Sequence, residues 1–328
     1  MTRSRTRLLA ALVAAMALFG AAACGDDDGE TTTGTDDAAA DDGGADGDGE
    51  AVTHEFVPLD VGGPITKDAL TSGDIDIALL FSSDGAIAAN SWVALEDDMD
   101  LQPVDNFIPA VRTEVASDEV AEVLDAVSAA LSVESMQEMV ASVAIDGENP
   151  DDVAGTFLAA VDLPDTAIDG SFTVGSANFA ESEITAELYA QALESAGASI
   201  ERKLQFGARE AYIPALSSGE LDIVPEFVGT LAFYFDGEAE VTSDLDESVE
   251  LARGLAEAEG ITLLEPAAAD SVNTFVVTQE TADEHGLGAV SDLADVDEPL
   301  TLGGPPECPE RRPCLLGLIE VYGLAFDV

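Results

Sequence analysis

Two nine-residue stretches constrain the fold more than anything else in the chain. Ala69-Leu70-Thr71-Ser72-Gly73-Asp74-Ile75-Asp76-Ile77 and Ala215-Leu216-Ser217-Ser218-Gly219-Glu220-Leu221-Asp222-Ile223 share one pattern: the end of a helix, a glycine stop, and an apolar strand entered at once. Such turns are common, so the pair gains meaning from its surroundings. Phe172–Gly175 reads as a strand. Ala180–Ala196 reads as a helix, with Ile184, Leu188 and Ala192 four residues apart and Gly197 as its stop. Ala198–Phe206 alternates like a strand, Arg209–Leu216 like a helix, and Leu221–Val224 reads as a buried strand. This βαβαβ succession predicts a mostly parallel sheet covered by helices. The second copy predicts a second lobe of the same kind, with a ligand cleft between the two.

The first fifty residues are of another kind. Arg3, Arg5 and Arg7 precede the apolar run Leu8–Phe19 and the small residues Gly20 to Ala23, the arrangement of an export signal. The run is short for a bilayer span, and an N-terminal membrane anchor is the other reading. Cys24 directly after three alanines resembles a bacterial lipobox. That implies a mature protein starting at a lipidated Cys24, held to the outer face of the cell membrane through this lipid anchor only. From Gly25 to Glu50 there is no aromatic residue, no Leu, Ile or Val, and no Lys or Arg. Such a stretch cannot bury enough surface to order itself. We therefore expect a signal over 1–23 and a disordered acidic tether over 24–51. A weak divalent-ion trap is the alternative for the tether, although no spacing in it fixes a coordination shell.

Charge narrows the partners. With 67 acidic and 11 basic residues the chain carries −56, which repels nucleic-acid phosphates and anionic lipid headgroups. Eleven of the acidic residues lie between Asp26 and Glu50, so most of the charge belongs to the folded body. That suits a high-salt setting, where screening weakens self-repulsion. The chain has no GxSxG elbow, HExxH, P-loop or GxGxxG, and His54 and His285 read as surface residues. Neither an enzyme, a cofactor nor a metal is expected. Cys308 and Cys314 stand close together in an exported chain and most simply form a disulfide, stiffening the loop that carries Arg311 and Arg312. Free thiols, or half of an intersubunit metal site, are the other readings.

Several motifs together identify a family. Phe172-Thr173-Val174-Gly175-Ser176-Ala177-Asn178-Phe179-Ala180-Glu181-Ser182, Tyr189-Ala190-Gln191-Ala192-Leu193 and Pro225-Glu226-Phe227-Val228-Gly229-Thr230 are followed by a run from Gly303-Gly304-Pro305-Pro306-Glu307-Cys308 to Cys314-Leu315-Leu316-Gly317-Leu318. The set resembles the glycine betaine/choline/carnitine (osmoprotectant) substrate-binding proteins of ABC transporters, whose usual motifs read GSKNFTE and PEYTGT. The resemblance covers 54–160 and 171–327. It implies a two-lobed α/β fold of the type II periplasmic-binding-protein kind. It further implies an extracytoplasmic protein that captures a small quaternary ammonium solute and delivers it to ABC permease subunits. A sensor or structural surface lipoprotein of the same fold, with a degenerate pocket, is the alternative.

The order of the halves departs from that family. Phe56-Val57-Pro58-Leu59-Asp60, Gly62-Gly63-Pro64-Ile65-Thr66 and Ser83-Asp84-Gly85-Ala86-Ile87, which close the usual order, come first here. By this resemblance 52–160 is the family's C-terminal half, 171–328 its N-terminal half, and 161–170 a link joining the usual termini. That is the order of a circular permutant. A truncated tandem and a dimer exchanging halves are the competing readings.

The resemblance also implies a site. Ring faces attract a diffuse cation that offers no hydrogen-bond donors. Phe227 and Thr230 fall on the PEYTGT positions, Phe275 follows Asn273-Thr274, and Phe81 precedes Ser83 and Asp84. Asp105 stands where many members carry a further aromatic. Ala177, beside Asn178, replaces the lysine of GSKNFTE. Arg311 or Arg312 is the candidate grip for a ligand carboxylate. The added charge of Asp105 and the lost lysine favour a cation without a carboxylate, so choline is expected at least as much as betaine. The crossings between lobes are expected near Gln102–Pro109 and Ser271–Phe275.

Overall fold

A computed structural model of the protein describes residues 52–328. The export signal, Cys24 and the tether lie outside the described residues. The first lobe opens with β1 (Thr53–Pro58), α1 (Pro64–Ser72), β2 (Ile77–Phe81), α2 (Gly85–Asn90) and β3 (Val93–Ala94). The second starts with β4 (Phe107–Arg112), α3 (Asp118–Ala130), α4 (Val133–Ala144) and α5 (Pro150–Leu158). It continues with β5 (Ser171–Ala177), α6 (Ala180–Ser195), β6 (Ser199–Gly207), α7 (Arg209–Ser218) and β7 (Ile223–Phe227), then α8 (Val228–Phe235), α9 (Leu245–Glu257) and β8 (Ile261–Leu263). Finally β9 (Asn273–Val277), α10 (Gln279–His285), β10 (Thr301–Gly304), α11 (Leu315–Glu320) and β11 (Ala325–Asp327) complete the first lobe.

The strands form two sheets, ordered β11-β1-β10-β2-β9-β3 and β6-β5-β7-β4-β8. The expected βαβαβ unit is β5 to β7, with β5 parallel to both β6 and β7. In each sheet the strand that enters from the other lobe runs antiparallel to its neighbour: β4 against β7, and β9 against β2. Apart from the extra edge strand β11, the two orders superpose position by position. The fold is the two-lobed α/β architecture anticipated from the sequence. Both faces of each sheet are buried, as crossover helices require.

The repeated stretch does the same work in both lobes. Gly73 (φ 75°) and Gly219 (φ 81°) end their helices in the left-handed region, where glycine bears no Cβ penalty. The aspartate that follows then clamps the next strand. Asp76 Oδ2 accepts the Thr301 N–H at 2.8 Å, and Asp222 Oδ2 accepts the Thr173 N–H at 2.9 Å. Two residues on, Gly303 and Gly175 make room for Ile75 and Leu221. A Cβ there would lie 2.5 Å and 2.8 Å from their respective Cδ1 atoms.

The crossings fall near Gln102–Pro109 and Ser271–Phe275 and lie side by side. Asn106 and Asp270 form an antiparallel bridge, and the Ser271 N–H donates to the Asp105 carbonyl at 3.1 Å. The 161–170 segment is tied to the turn after α6: the Ile168 N–H donates to Ala196 O, and the Ser199 N–H to Gly170 O. His54 is not the surface residue expected of it. It is 2% exposed, because β11 lies outside β1 and covers it, with Phe326 tilted over the ring at 5.3 Å. Its Nδ1 accepts the Leu300 N–H at 3.1 Å, and desolvation holds its pKa below the usual histidine range.

Candidate functional site

Ligands of open α/β sheets sit beyond the carboxyl ends of the strands. In the second lobe those ends carry Phe179 after β5, Arg209 after β6 and Phe227 at the end of β7. Phe227 packs on Phe107, centroids 4.6 Å apart, and Phe179 stacks over it at 6.2 Å. Phe227 is 9% exposed, whereas Phe179 is 41% exposed and presents an open ring.

The residue before Phe227 organises the rest. Glu226 is fully buried and receives Arg209 through two hydrogen bonds, Nε to Oε1 at 2.9 Å and Nη2 to Oε2 at 2.8 Å. The Tyr212 hydroxyl (2.7 Å) and the Phe227 N–H (3.0 Å) donate to the same carboxylate, so a buried charge is paired and its lone pairs are used. Arg209 Nη2 also donates to Thr230 Oγ1 at 2.9 Å. Asp105, in the crossing segment just before β4, accepts the Gly229 and Thr230 N–H groups at 2.8 and 2.9 Å at the start of α8. Gly229 permits this approach, since a Cβ there would lie 2.4 Å from Val104 O. Desolvation pushes the Asp105 carboxyl up to about 7, against the pull of the Thr230 N–H and Arg209. A cavity of about 630 Å³ opens beside these groups, lined by Asp105, Arg209, Glu210, Thr230, Phe233 and Tyr234.

The first lobe uses the corresponding strand end differently. Phe81 ends β2, 40% exposed, opposite Asn273, whose Nδ2 donates to Pro313 O at 3.2 Å. Ser82 donates to Asp270 at 2.5 Å. Ser83, fully buried, bonds to Glu181 (3.2 Å) and Ser271 (3.0 Å). Asp84 caps α2 through the Ala86 N–H and pairs with Lys67 at 2.6 Å. Gln137 of α4 donates to Ser82 O at 2.7 Å, and Gly85 lies so close that a Cβ would be 2.4 Å from Ala141 N. Ser82, Ser83 and Gly85 therefore brace the first lobe against the second, while Asp84 holds α2 to α1 within the first.

The expected residues divide accordingly. Phe227, Thr230 and Asp105 come together. Phe275 does not join them: it is 2% exposed in the first lobe's core beside Leu79, because β9 is an interior strand and this position faces its covering helices. Asn178 is exposed, and Ala177 offers the cavity no side-chain donor. Arg311 and Arg312 are exposed, Arg311 pairs with Glu307 at 3.3 Å, and neither lines the cavity. Cys308 and Cys314 form the expected disulfide, Cα atoms 5.3 Å apart.

Sequence reasoning missed Phe179 and Arg209. Phe179 follows Asn178 in a quoted motif, and Arg209 is one of only eight Lys or Arg residues after Arg7, placed at a helix start. For a metal, the described residues bring together Glu284, His285 and Glu298, with ligand atoms within 4.8 Å of one another on a largely exposed surface. Nothing ties that group to the cavity.

The family described as the substrate binding domain of the ABC-type glycine betaine transport system matches residues 9–160 and 170–328. The chain is 32% identical over 171 residues to the glycine betaine-binding protein YehZ of Escherichia coli, covering 51% of this chain and 56% of that protein. It is 28% identical over 182 residues to a glycine-betaine-binding protein of Pseudomonas aeruginosa, covering 53% and 56%. The chain thus spans little more than half the length of these curated relatives. Among solved structures, NikA from Brucella suis in complex with Fe(III)-EDTA is similar at a TM-score of 0.34 and 12% identity, covering 66% of this chain and 55% of that one.

Proposed function

The chain belongs to the substrate-binding family of ABC-type glycine betaine transport systems, and from that premise we propose that it captures a quaternary ammonium solute at the rim of its second lobe. A member of this family is an extracytoplasmic binding protein, not an enzyme. The observation that carries the reading is the open face of Phe179 stacked on Phe227 at the carboxyl ends of parallel strands, with the carboxylate of Asp105 bound to the start of the helix that follows Phe227. A diffuse cation without donors gains from ring faces and from a nearby negative charge, and it needs no hydrogen bond. Capture draws the two lobes together about the paired crossings, and the closed surface presents the solute to an ABC permease. Phe81 and Asn273 would meet the solute from the first lobe.

Two features of the chain belong to the same proposal. Lipid on Cys24 tethers the protein to the outer face of the membrane. The halves stand in circularly permuted order, supported by the separate family matches on either side of 161–169. Residues 171–328 placed ahead of 52–160 in one chain are then expected to fold and bind like the natural order.

Titration calorimetry with choline, glycine betaine, carnitine and proline tests the function. Binding of at least one quaternary ammonium compound, lost in Phe227→Ala and weakened in Phe179→Ala, is the expected result. Silence from all three quaternary compounds sinks the reading.

A further inference from the structure

We propose that the disulfide-closed loop Cys308–Cys314 is the fixed post of the hinge between the lobes: its Pro313 carbonyl holds both crossings in place and so sets solute affinity without touching the solute. The effect on affinity rests on the proposed capture by lobe closure; the hinge does not.

Among the described residues the backbone passes between the lobes twice, and each passage has a sharp point where the partners change. On the first, the Leu101 and Gln102 N–H groups donate to Asp97 at 3.0 and 2.7 Å, and Asp97 also accepts the Tyr322 hydroxyl, all within the first lobe. Two residues on, the Val104 N–H donates to Thr242 O at 3.0 Å, in the second lobe. The change falls at Pro103, which has no N–H to commit to either lobe. On the second passage the Ser271 N–H still donates to the Asp105 carbonyl. The Val272 N–H instead donates to Ser82 Oγ at 3.1 Å, and the Val272 carbonyl accepts from the Ser82 N–H at 2.8 Å. Turning is therefore confined to Pro103 and to the link between Ser271 and Val272.

One atom ties the first-lobe sides of both points. Pro313 O accepts Gln102 Nε2 at 3.3 Å and Asn273 Nδ2 at 3.2 Å, one bond for each of its lone pairs. Pro313 is not free to follow either donor. It precedes Cys314, whose disulfide to Cys308 lies buried in the first lobe's core beside Leu101. Gly317, just beyond, has no room for a Cβ between Leu101 and the Arg312 carbonyl. With both cysteines buried, a thiolate has no access to the sulfurs, so the post is permanent and not a redox switch. Two turning points held at one atom share one axis. Once loosened, the lobes sample more orientations, and the solute must supply the cost of ordering them. Gln102 and Asn273 are positioning residues in this scheme.

Hydrogen exchange followed by mass spectrometry, on the full chain without solute, reads the Val104, Ser271 and Val272 amides. In Cys308→Ala with Cys314→Ala, peptides from both crossings should exchange at least about fivefold faster. Gln102→Met keeps the volume and removes one donor. It should speed the Val104 peptide by about fivefold, the weight of one ordinary hydrogen bond, and leave β1, β5 and β10 as they were. Unchanged exchange in Gln102→Met overturns the proposal, whether or not the cysteine variant folds. So does acceleration that spreads equally through β1 and β10. In calorimetry, Gln102→Met should weaken glycine betaine and choline by the same factor, about fivefold, since the hinge precedes any choice between them. A loss confined to one compound would make Gln102 a contact residue and overturn the proposal. If no quaternary compound binds the wild type, the proposed function fails, and the exchange result still decides the post.

Discussion

The two lobes place the same strand in the same position and then use it differently. Aligned on the repeated stretch, Phe81 and Phe227 are the same residue, each closing the strand that follows its glycine stop. One position earlier, the first lobe has Leu80 and the second Glu226, and both are buried. Leu80 completes a core. Glu226 draws Arg209 and Tyr212 into the strand end and, through Arg209, reaches Thr230. At the next turn the first lobe has Ser82 and Ser83, which brace it against α4 and α6 of the other lobe, and Asp84, which holds Lys67 of its own. The second has Val228, Gly229 and Thr230, which leave room for Asp105 and a cavity. A shared scaffold thus opens on a cavity at one strand end and on contacts to the other lobe at the other, decided by a few polar residues.

Converting one lobe into the other is the most severe way to break that comparison. Glu226→Leu copies the first lobe and leaves Arg209 without its partner, so we expect a loss of about 3–5 kcal/mol in denaturant unfolding and no solute binding. Variants of the paired phenylalanines come next. Phe227→Ala removes a side chain packed on Phe107 and should cost roughly 3 kcal/mol, whereas Phe81→Ala, 40% exposed, should cost under about 1 kcal/mol. Equal costs would mean that both strand ends are core. The shared scaffold itself should respond less than Phe227 does. Gly175→Ala and Gly303→Ala each push a Cβ into the repeat's Leu221 or Ile75, and each should cost about 1–3 kcal/mol. Closely similar losses in the two would show the lobes packed alike at this point.

That scaffold was legible in the sequence because its signals are local. A glycine in the left-handed region, apolar residues at helical and strand spacing, and a close pair of cysteines each act within a few residues. The aromatic at Phe227 and the hydroxyl at Thr230 were legible for the same reason, standing in one short motif. Arg209 was not, because its role depends on Glu226, which reaches it only when β6 and β7 flank β5 in one sheet. Phe275 misled for the converse reason: a strand that enters from the other lobe can turn a given residue toward the cleft or the core, and the core won. His54 misled because its cover, β11, comes from the opposite end of the chain.

The mildest test concerns Asp105, the residue through which the crossing segment meets the start of α8. Its carboxyl titrates at about 7 when folded, raised chiefly by desolvation, against about 3.9 in an unfolded chain. Between those values the folded protein holds a proton that the unfolded chain has released. This group's contribution to stability therefore falls as pH rises from about 4 to about 7, and the cost of burying the charge is constant above that. An asparagine side chain in its place accepts the same two N–H groups and never ionises. Asp105→Asn should match the wild type in Tm near pH 4 and exceed it by roughly 2–4 °C at pH 8, allowing for the residue's partial exposure. Affinity should move the other way. Protonated Asp105 no longer attracts the ammonium, so wild-type binding should weaken from pH 8 to pH 5.5 while that of Asp105→Asn stays level. Opposite pH trends in stability and affinity, both absent from one variant, would place the cation beside Asp105. Parallel trends would move it away, toward the strand end of the first lobe.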